Sequence, residues 1–280
     1  MLTEISPRFH DLARKPESQI GLAEGALVLA AEVRQGVDVE IGLEALDGLV
    51  ERTRPLVDAA TTPSAVVAAL NHSLFEQERF RGNQEQYDDL RNSLLDQVLI
   101  RRRGLPITLA IVYVEVARRL GLEAYGIGFP GHFLAKVVGV SDVKGGEIMI
   151  DAFFGRSLSV EDCVARLQAT TGEPVELDRA WLRPATAHEI YVRMLNNLKL
   201  LYLRQGDGLS ALGCFDRILI LAPDAATEYR DRGLLLERMD CLHAAVDDLS
   251  RFLELDPHDE SASAIRARRD ALARRKPPLN

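Results

Sequence analysis

The sequence predicts an α+β domain followed by an all-α repeat segment. Three observations carry that expectation. Apolar residues recur at helical spacing through much of residues 1–100. The period shortens to that of strands between residues 123 and 153, around a glycine-rich turn. From about residue 192 the chain repeats itself at an interval of 34 positions.

Taken in order, IGLAEGALVLAAEV (20–33) and residues 39–50 place apolar side chains on helix faces. Thr62 and Pro63 form a helix start, with the threonine as cap and the proline at the first helical position, where its missing N–H costs nothing. Pro106 opens a further helix, PITLAIVYVEVARRLG, which Gly121 ends by accepting a left-handed backbone. Ile107, Leu109, Ala110, Ile111 and Val114 cover most of its faces, so a central buried helix is expected. Residues 123–129, 133–140 and 147–153 are rich in β-branched and aromatic side chains. The turn Val143-Lys144-Gly145-Gly146 makes the last two a hairpin. The stretch around Trp181 and Pro184 reads as a linker to the repeats.

In the repeats Leu195 matches Tyr229, Ala211 matches Ala245, Phe215 matches Leu249, Ile218 matches Phe252 and Pro223 matches Pro257. The alanines let two helices approach closely, and the prolines stop the second helix at a fixed length. The pattern resembles the tetratricopeptide repeat. DESASAIRARRDALARR then reads as a capping helix with Ile265 and Leu272 on its apolar side, and KPPLN as a frayed tail. The expected organisation is a helical and α+β domain over 1–183, two repeats over 190–258, and a cap with tail over 259–280. Two repeats and a cap are marginal alone and should lean on the preceding domain.

Composition narrows the function. With 47% hydrophobic and 27% charged residues the chain has the make-up of a folded protein, which excludes disorder and low complexity. Lys and Arg number 34 against 42 Asp and Glu, a net charge of −8, whereas a nucleic-acid surface needs a basic excess. No nucleic-acid partner is expected. The longest apolar run, 107–114, is interrupted by Thr108 and stopped by Glu115, too short to span a membrane. MLTEISPRFH lacks the basic-then-apolar order of a leader, and three scattered cysteines (Cys163, Cys214, Cys241) fit a reducing cytoplasm. Without a CxxC and with six scattered histidines, neither a metal nor a cofactor is expected.

Two patterns bear on chemistry. Gly126-x-Gly128-x-x-Gly131 has the spacing of a dinucleotide loop, but Pro130 intrudes and a strand follows instead of a helix, so the glycines are read as a turn presenting His132. His132 begins one strand and Asp151 ends the next, and adjacent antiparallel strands bring the two together. Such a pair either orients an imidazole for proton transfer or ties a hairpin as a structural contact.

The strings FRGNQEQYDDLRNSLLDQVLIRRRGLPITLAIVYVEVARRLGLEAYGIGFPGHFLAKV and IDAFFG resemble the bacterial SirB-type family. The carriers are GN (82–83), NSLL (92–95), RRRGLPI (101–107), PGHF (130–133) and Asp151. The resemblance implies a transglutaminase-like, papain-like domain with tetratricopeptide repeats behind it. In active members a cysteine starts the central helix, a histidine lies on the first strand and an aspartate on the second. His132 and Asp151 match the latter two. The cysteine position falls at or beside Pro106, and residues 1–162 hold no cysteine.

Two groups could stand in for the missing thiol: the Thr108 hydroxyl at the same helix end, and Cys163 on a later helix. Cys214 and Cys241 read as small packing residues inside the repeats. Asn83, Tyr87, Asn92 and Ser93 are candidates to line a substrate cleft; the alternative is that Asn92 and Ser93 cap or brace neighbouring turns. Arg101-Arg102-Arg103 reads as a solvated charged face that an acidic peptide could use. The expected function is a non-catalytic protein-binding or regulatory module, with a protein or peptide partner held in the repeat groove or the degenerate cleft. The alternative is a cysteine-peptidase-like hydrolase or acyl transferase that uses His132 and Asp151 with an unrecognised nucleophile.

Overall fold

Three helix starts in the N-terminal half, those of the first, third and fourth helices, are fixed by caps written in the sequence. In this computed structural model, which describes residues 4–172 and 177–275, the Ser6 hydroxyl accepts from the Phe9 N–H and opens α1 (Pro7–Arg14). Helix α2 (Leu22–Val33) is buried from Leu22 to Ala30 except at Glu24. Asp38 accepts from the Glu40 and Ile41 N–H groups at the head of α3 (Val39–Asp58). Thr62 caps α4 (Pro63–Asn71) by accepting from the Ala65 N–H, with Pro63 at the first helical position as read from sequence. The chain continues from α4 into a π-helical turn, His72–Gln77.

A two-residue strand β1 (Arg81–Gly82), a 3-10 turn at Leu90–Asn92 and a short α5 (Leu95–Arg101) lead to β2 (Arg103–Gly104), which pairs with β1 in parallel. Helix α6 (Pro106–Arg119) follows, and all of its residues up to Ala117 are buried. Helices α2, α3 and α5 and the sheet strands pack on it, as a helix apolar on all faces requires. One carboxylate enters this core: Glu115 accepts from the Ala23 N–H at 3.1 Å and pairs with Arg119 at 3.5 Å. Gly121, at φ +87°, ends the helix as expected.

Four antiparallel strands in chain order form the main sheet: β3 (Ala124–Ile127), β4 (Leu134–Val138), β5 (Glu147–Asp151) and β6 (Arg156–Leu158). The β4–β5 connection is the expected glycine-rich turn. Sequence patterning did not reveal β6, which has three residues and extends the sheet by one strand. A reciprocal cap between Ser159 and Asp162 opens α7 (Val160–Thr171). The segment read as a linker is held on this sheet: Lys136 Nζ donates to the Leu182 carbonyl at 2.8 Å, and Pro184 bridges Ile127.

The chain divides into two compact units, one built from Ser6–Met194 and a second that begins at Leu195. The division falls within one continuous helix, α8 (Ala187–Gln205). The second unit continues with α9 (Gly208–Leu221), α10 (Ala226–Arg238), α11 (Leu242–Leu255) and α12 (Ala262–Arg274). Helices α9 and α11 stop just before Pro223 and Pro257. Ala211, Ala245, Leu249 and Phe252 are fully buried, and Ile265 and Leu272 turn inward from α12. Cys214 is a buried packing residue, but Cys241 is exposed, because it occupies the cap position between α10 and α11 instead of a helix interior. Residues 1–3 and the KPPLN tail lie outside the described residues.

In the first unit, the Tyr191 hydroxyl lies 3.1 Å from the carbonyl oxygens of both Gly21 and Leu22. Only glycine at position 25 leaves room for it, since a Cβ there would sit 2.1 Å from the hydroxyl oxygen. Gly25→Ala is expected to lower stability by about 1–3 kcal/mol through overpacking, read as a lower urea midpoint. An unchanged midpoint would contradict this packing.

Candidate functional site

The sheet's loop end builds the candidate site. Ile127 pairs with Leu134, so residues 128–133 form the loop that carries His132. Gly131 adopts φ +66°, a conformation that side chains resist, and the His132 N–H donates to the Phe129 carbonyl at 3.0 Å. The Arg193 guanidinium donates to the His132 carbonyl at 2.6 Å and to the Phe129 carbonyl at 3.3 Å, and lies over the Phe133 ring. Because a strand follows Gly131, no helix N-terminus is available for a nucleotide. Gly126 is instead a packing glycine, since a Cβ there would meet Phe133 at 2.9 Å.

Asp151, the last residue of β5, is wholly buried. Its Oδ1 lies 3.0 Å from His132 Nε2 and accepts from the Phe153 and Phe154 N–H groups at 3.1 and 3.3 Å. Its Oδ2 faces Arg166 of α7 at 2.5 Å. Burial alone would raise the pKa of this carboxyl. The His132 bond and charge, the Arg166 charge and the Phe154 N–H outweigh burial and hold it below the usual carboxylate range. An ionised Asp151 fixes the imidazole with Nε2 as donor, leaving Nδ1 as the nitrogen able to take a proton. The His132 side chain is only 10% exposed. Its ring meets Phe153 edge-on at 6.2 Å and stacks on Phe154 at 6.4 Å.

Short steps connect this pair to the start of α6. The Phe153 carbonyl accepts from the Gly82 N–H at 2.8 Å, Gly82 pairs with Gly104, and Gly104 precedes Leu105 and Pro106. Both glycines serve close approach. A Cβ on Gly82 would lie 2.4 Å from the Phe153 ring, and one on Gly104 would lie 2.7 Å from the Thr108 hydroxyl.

The helix start itself is internally satisfied. Thr108 Oγ1 accepts from the Leu105 N–H at 3.0 Å and donates to the Asn92 carbonyl at 2.8 Å, fully buried. Asn92 Nδ2 donates to the Gln86 and Tyr87 carbonyls, and its Oδ1 accepts from Asn83 Nδ2 at 3.1 Å. Asn83, Asn92 and Thr108 therefore spend these polar groups on bracing residues 83–108, which for Asn92 is the alternative read from sequence. Ser93 is buried behind the same turn. Tyr87 is 51% exposed and meets Phe153 at 6.0 Å, and Phe154, 50% exposed, meets the same ring at 5.1 Å.

Cys163 is fully buried, and burial pushes its thiol up to about 11, the opposite of an activated thiolate. Sequence reasoning missed Arg166 and Arg193. Arg166 follows Cys163 by three positions, so an inward-facing helix carrying Cys163 placed it on the same face; no comparable signal marks Arg193. Among the described residues, no group of three His, Cys, Asp or Glu side chains is placed to hold a metal, and no helix is long and apolar enough to cross a membrane.

The transglutaminase-like superfamily profile matches residues 42–196, which span the site, and a tetratricopeptide repeat profile matches residues 198–270. A UPF0162 protein of Xylella fastidiosa (strain 9a5c) is 35% identical over 266 residues, covering 94% of this chain and 93% of its own. The chain belongs to the UPF0162 family of transglutaminase-like proteins. Further UPF0162 relatives occur in Pseudomonas aeruginosa, 34% identical with 89% of each chain covered, and in Vibrio cholerae, 29% identical with 90% of this chain and 92% of the relative covered. The fit with the SirB-type resemblance thus extends across nearly the whole length, including the repeats.

The depressed carboxyl makes a signed prediction. A group whose pKa is lowered in the folded state contributes stability that is fully present above its unfolded pKa and is lost as pH falls through the folded value. Asp151→Asn is therefore expected to cost on the order of 1–3 kcal/mol at neutral pH. The gap from wild type should narrow as pH falls to about 3. Thermal melting of both proteins across that range checks it, and a gap that stays constant contradicts the ionised, partnered carboxylate.

Proposed function

We propose that this protein is a non-catalytic protein-binding module: a transglutaminase-like domain without its nucleophile, joined to repeats that hold a polypeptide partner. The observation that supports this most is the first turn of α6. Leu105, Pro106 and Ile107 carry no nucleophilic atom, and the one hydroxyl there, on Thr108, donates into the Asn92 carbonyl. A carboxylate-oriented imidazole without an attacking group lacks the step that makes a covalent intermediate. The exposed aromatics Tyr87 and Phe154 in the first unit, and the repeats, both offer surfaces for a chain. No metal or cofactor enters this reading, and the cytoplasm is its expected setting.

A second reading keeps the His132–Asp151 pair at work in a hydrolase or acyl transferase. The bond between His132 Nε2 and Asp151 favours it, because that is how a general base is oriented. Capture from a bacterial lysate separates the readings, run with wild type and His132→Ala beside assays of amide hydrolysis and acyl transfer. Expected are an intact, non-covalently held partner and no turnover above the His132→Ala background. A partner cleaved or covalently modified by wild type alone would overturn the binding reading.

A further inference from the structure

Beside the loop that presents His132, the first unit holds a cavity of about 410 Å³. Gly128 and Phe133, at the two ends of that loop, line it together with Trp181 on the 3-10 turn Arg179–Leu182 and Arg193 of α8. His132, Asp151, Phe153 and Phe154 do not line it, so the cavity is a place apart from the histidine–aspartate pair.

Arg193 carries the one charge in this cavity that the described residues leave unbalanced. Its two terminal nitrogens donate to the Phe129 and His132 carbonyls, but it makes no ion pair among the described residues, and its Nε–H has no hydrogen-bond partner there. Carbonyls satisfy donors without supplying a counter-charge, and a partly buried cation gains from one. Burial accordingly pushes the pKa of Arg193 down. The other two charges lining the cavity cancel: Arg183 grips Glu189 at 2.5 and 2.9 Å, and Glu189 also accepts from the Thr186 N–H at 2.9 Å. Trp181 is partly buried, and its indole N–H is a second donor with no partner among the described residues.

We propose that this cavity binds a small aromatic carboxylate, its carboxyl group paired with Arg193 and its ring packed on Trp181. Guanidinium favours carboxylate through paired, charge-assisted bonds, and an indole offers a flat apolar face to a second ring. A volume near the lower end of the range for ligand cavities suits a free acid better than a length of polypeptide. The site is separate from the protein-binding reading and does not depend on it.

Trp181 is the only tryptophan of the chain, so its fluorescence reports occupancy directly. Titration of the full chain with 3-phenylpropanoate should give a saturable change. The amide 3-phenylpropanamide, which keeps the ring and loses the charge, should bind about tenfold more weakly or worse. Arg193→Gln should weaken binding of the acid by a similar factor. Because Arg193 also holds the His132 loop, a second variant leaves it in place: Ala180→Leu, at an exposed position lining the cavity, narrows the space and should weaken the acid as well. No saturable change, equal binding of acid and amide, or binding indifferent to both substitutions would overturn the proposal. So would tighter binding of a short peptide that ends in phenylalanine, because the occupant would then be a polypeptide terminus.

Discussion

A helix buried on every face constrains everything around it, and α6 is such a helix. Its twelve buried residues, Pro106–Ala117, demand cover from all sides, which α2, α3, α5 and the sheet supply. Its first turn cannot rely on water to satisfy backbone groups. Pro106 removes one donor, and Thr108 takes up the Leu105 N–H while binding the Asn92 carbonyl. Residues 83–92 are held in turn by Asn83 and Asn92. The polar residues upstream of α6 are thus explained by what a buried helix start requires.

The second fixed point is the Asp151 carboxylate. A wholly buried charge is costly unless it is paired and hydrogen-bonded. Here hydrogen bonds come from the β3–β4 loop and the turn after β5, and an ion pair from Arg166 of α7. Removing any one leaves the others facing an under-satisfied anion, so the loop end of the sheet is organised as a unit. Arg166 sets this arrangement apart from a simple imidazole–carboxylate pair: it shares the charge that would otherwise be given to His132 alone. The His132–Asp151 contact is present, while the first turn of α6 carries no thiol.

Much of this was legible in sequence wherever a single periodicity or cap decides the outcome. The central helix follows from an apolar run opened by Pro106 and closed by Gly121, the β4–β5 hairpin from its glycine turn, and the repeats from five matched positions. His132 and Asp151 were legible as a pair because strand neighbours are fixed by chain order. The roles of Asn83, Asn92 and Thr108 were not decided, because their partners are backbone carbonyls whose positions appear only in three dimensions. Strand β6 is too short to show a period. Arg166 and Arg193 reach the site from elements far along the chain. Cys241 was misread because repeat alignment gives helix register better than it gives exposure at a helix cap.

The proposed function requires the start of α6 to stand beside the His132–Asp151 pair and to lack only a nucleophile. The most direct measurement is the pH dependence of alkylation of Pro106→Cys, made in the presence of His132 and again with His132→Ala. The predicted result is a thiol that reacts as a thiolate well below the ordinary cysteine pKa of about 8.5 and loses that property with His132→Ala. A thiol that titrates normally in both proteins would contradict the claim.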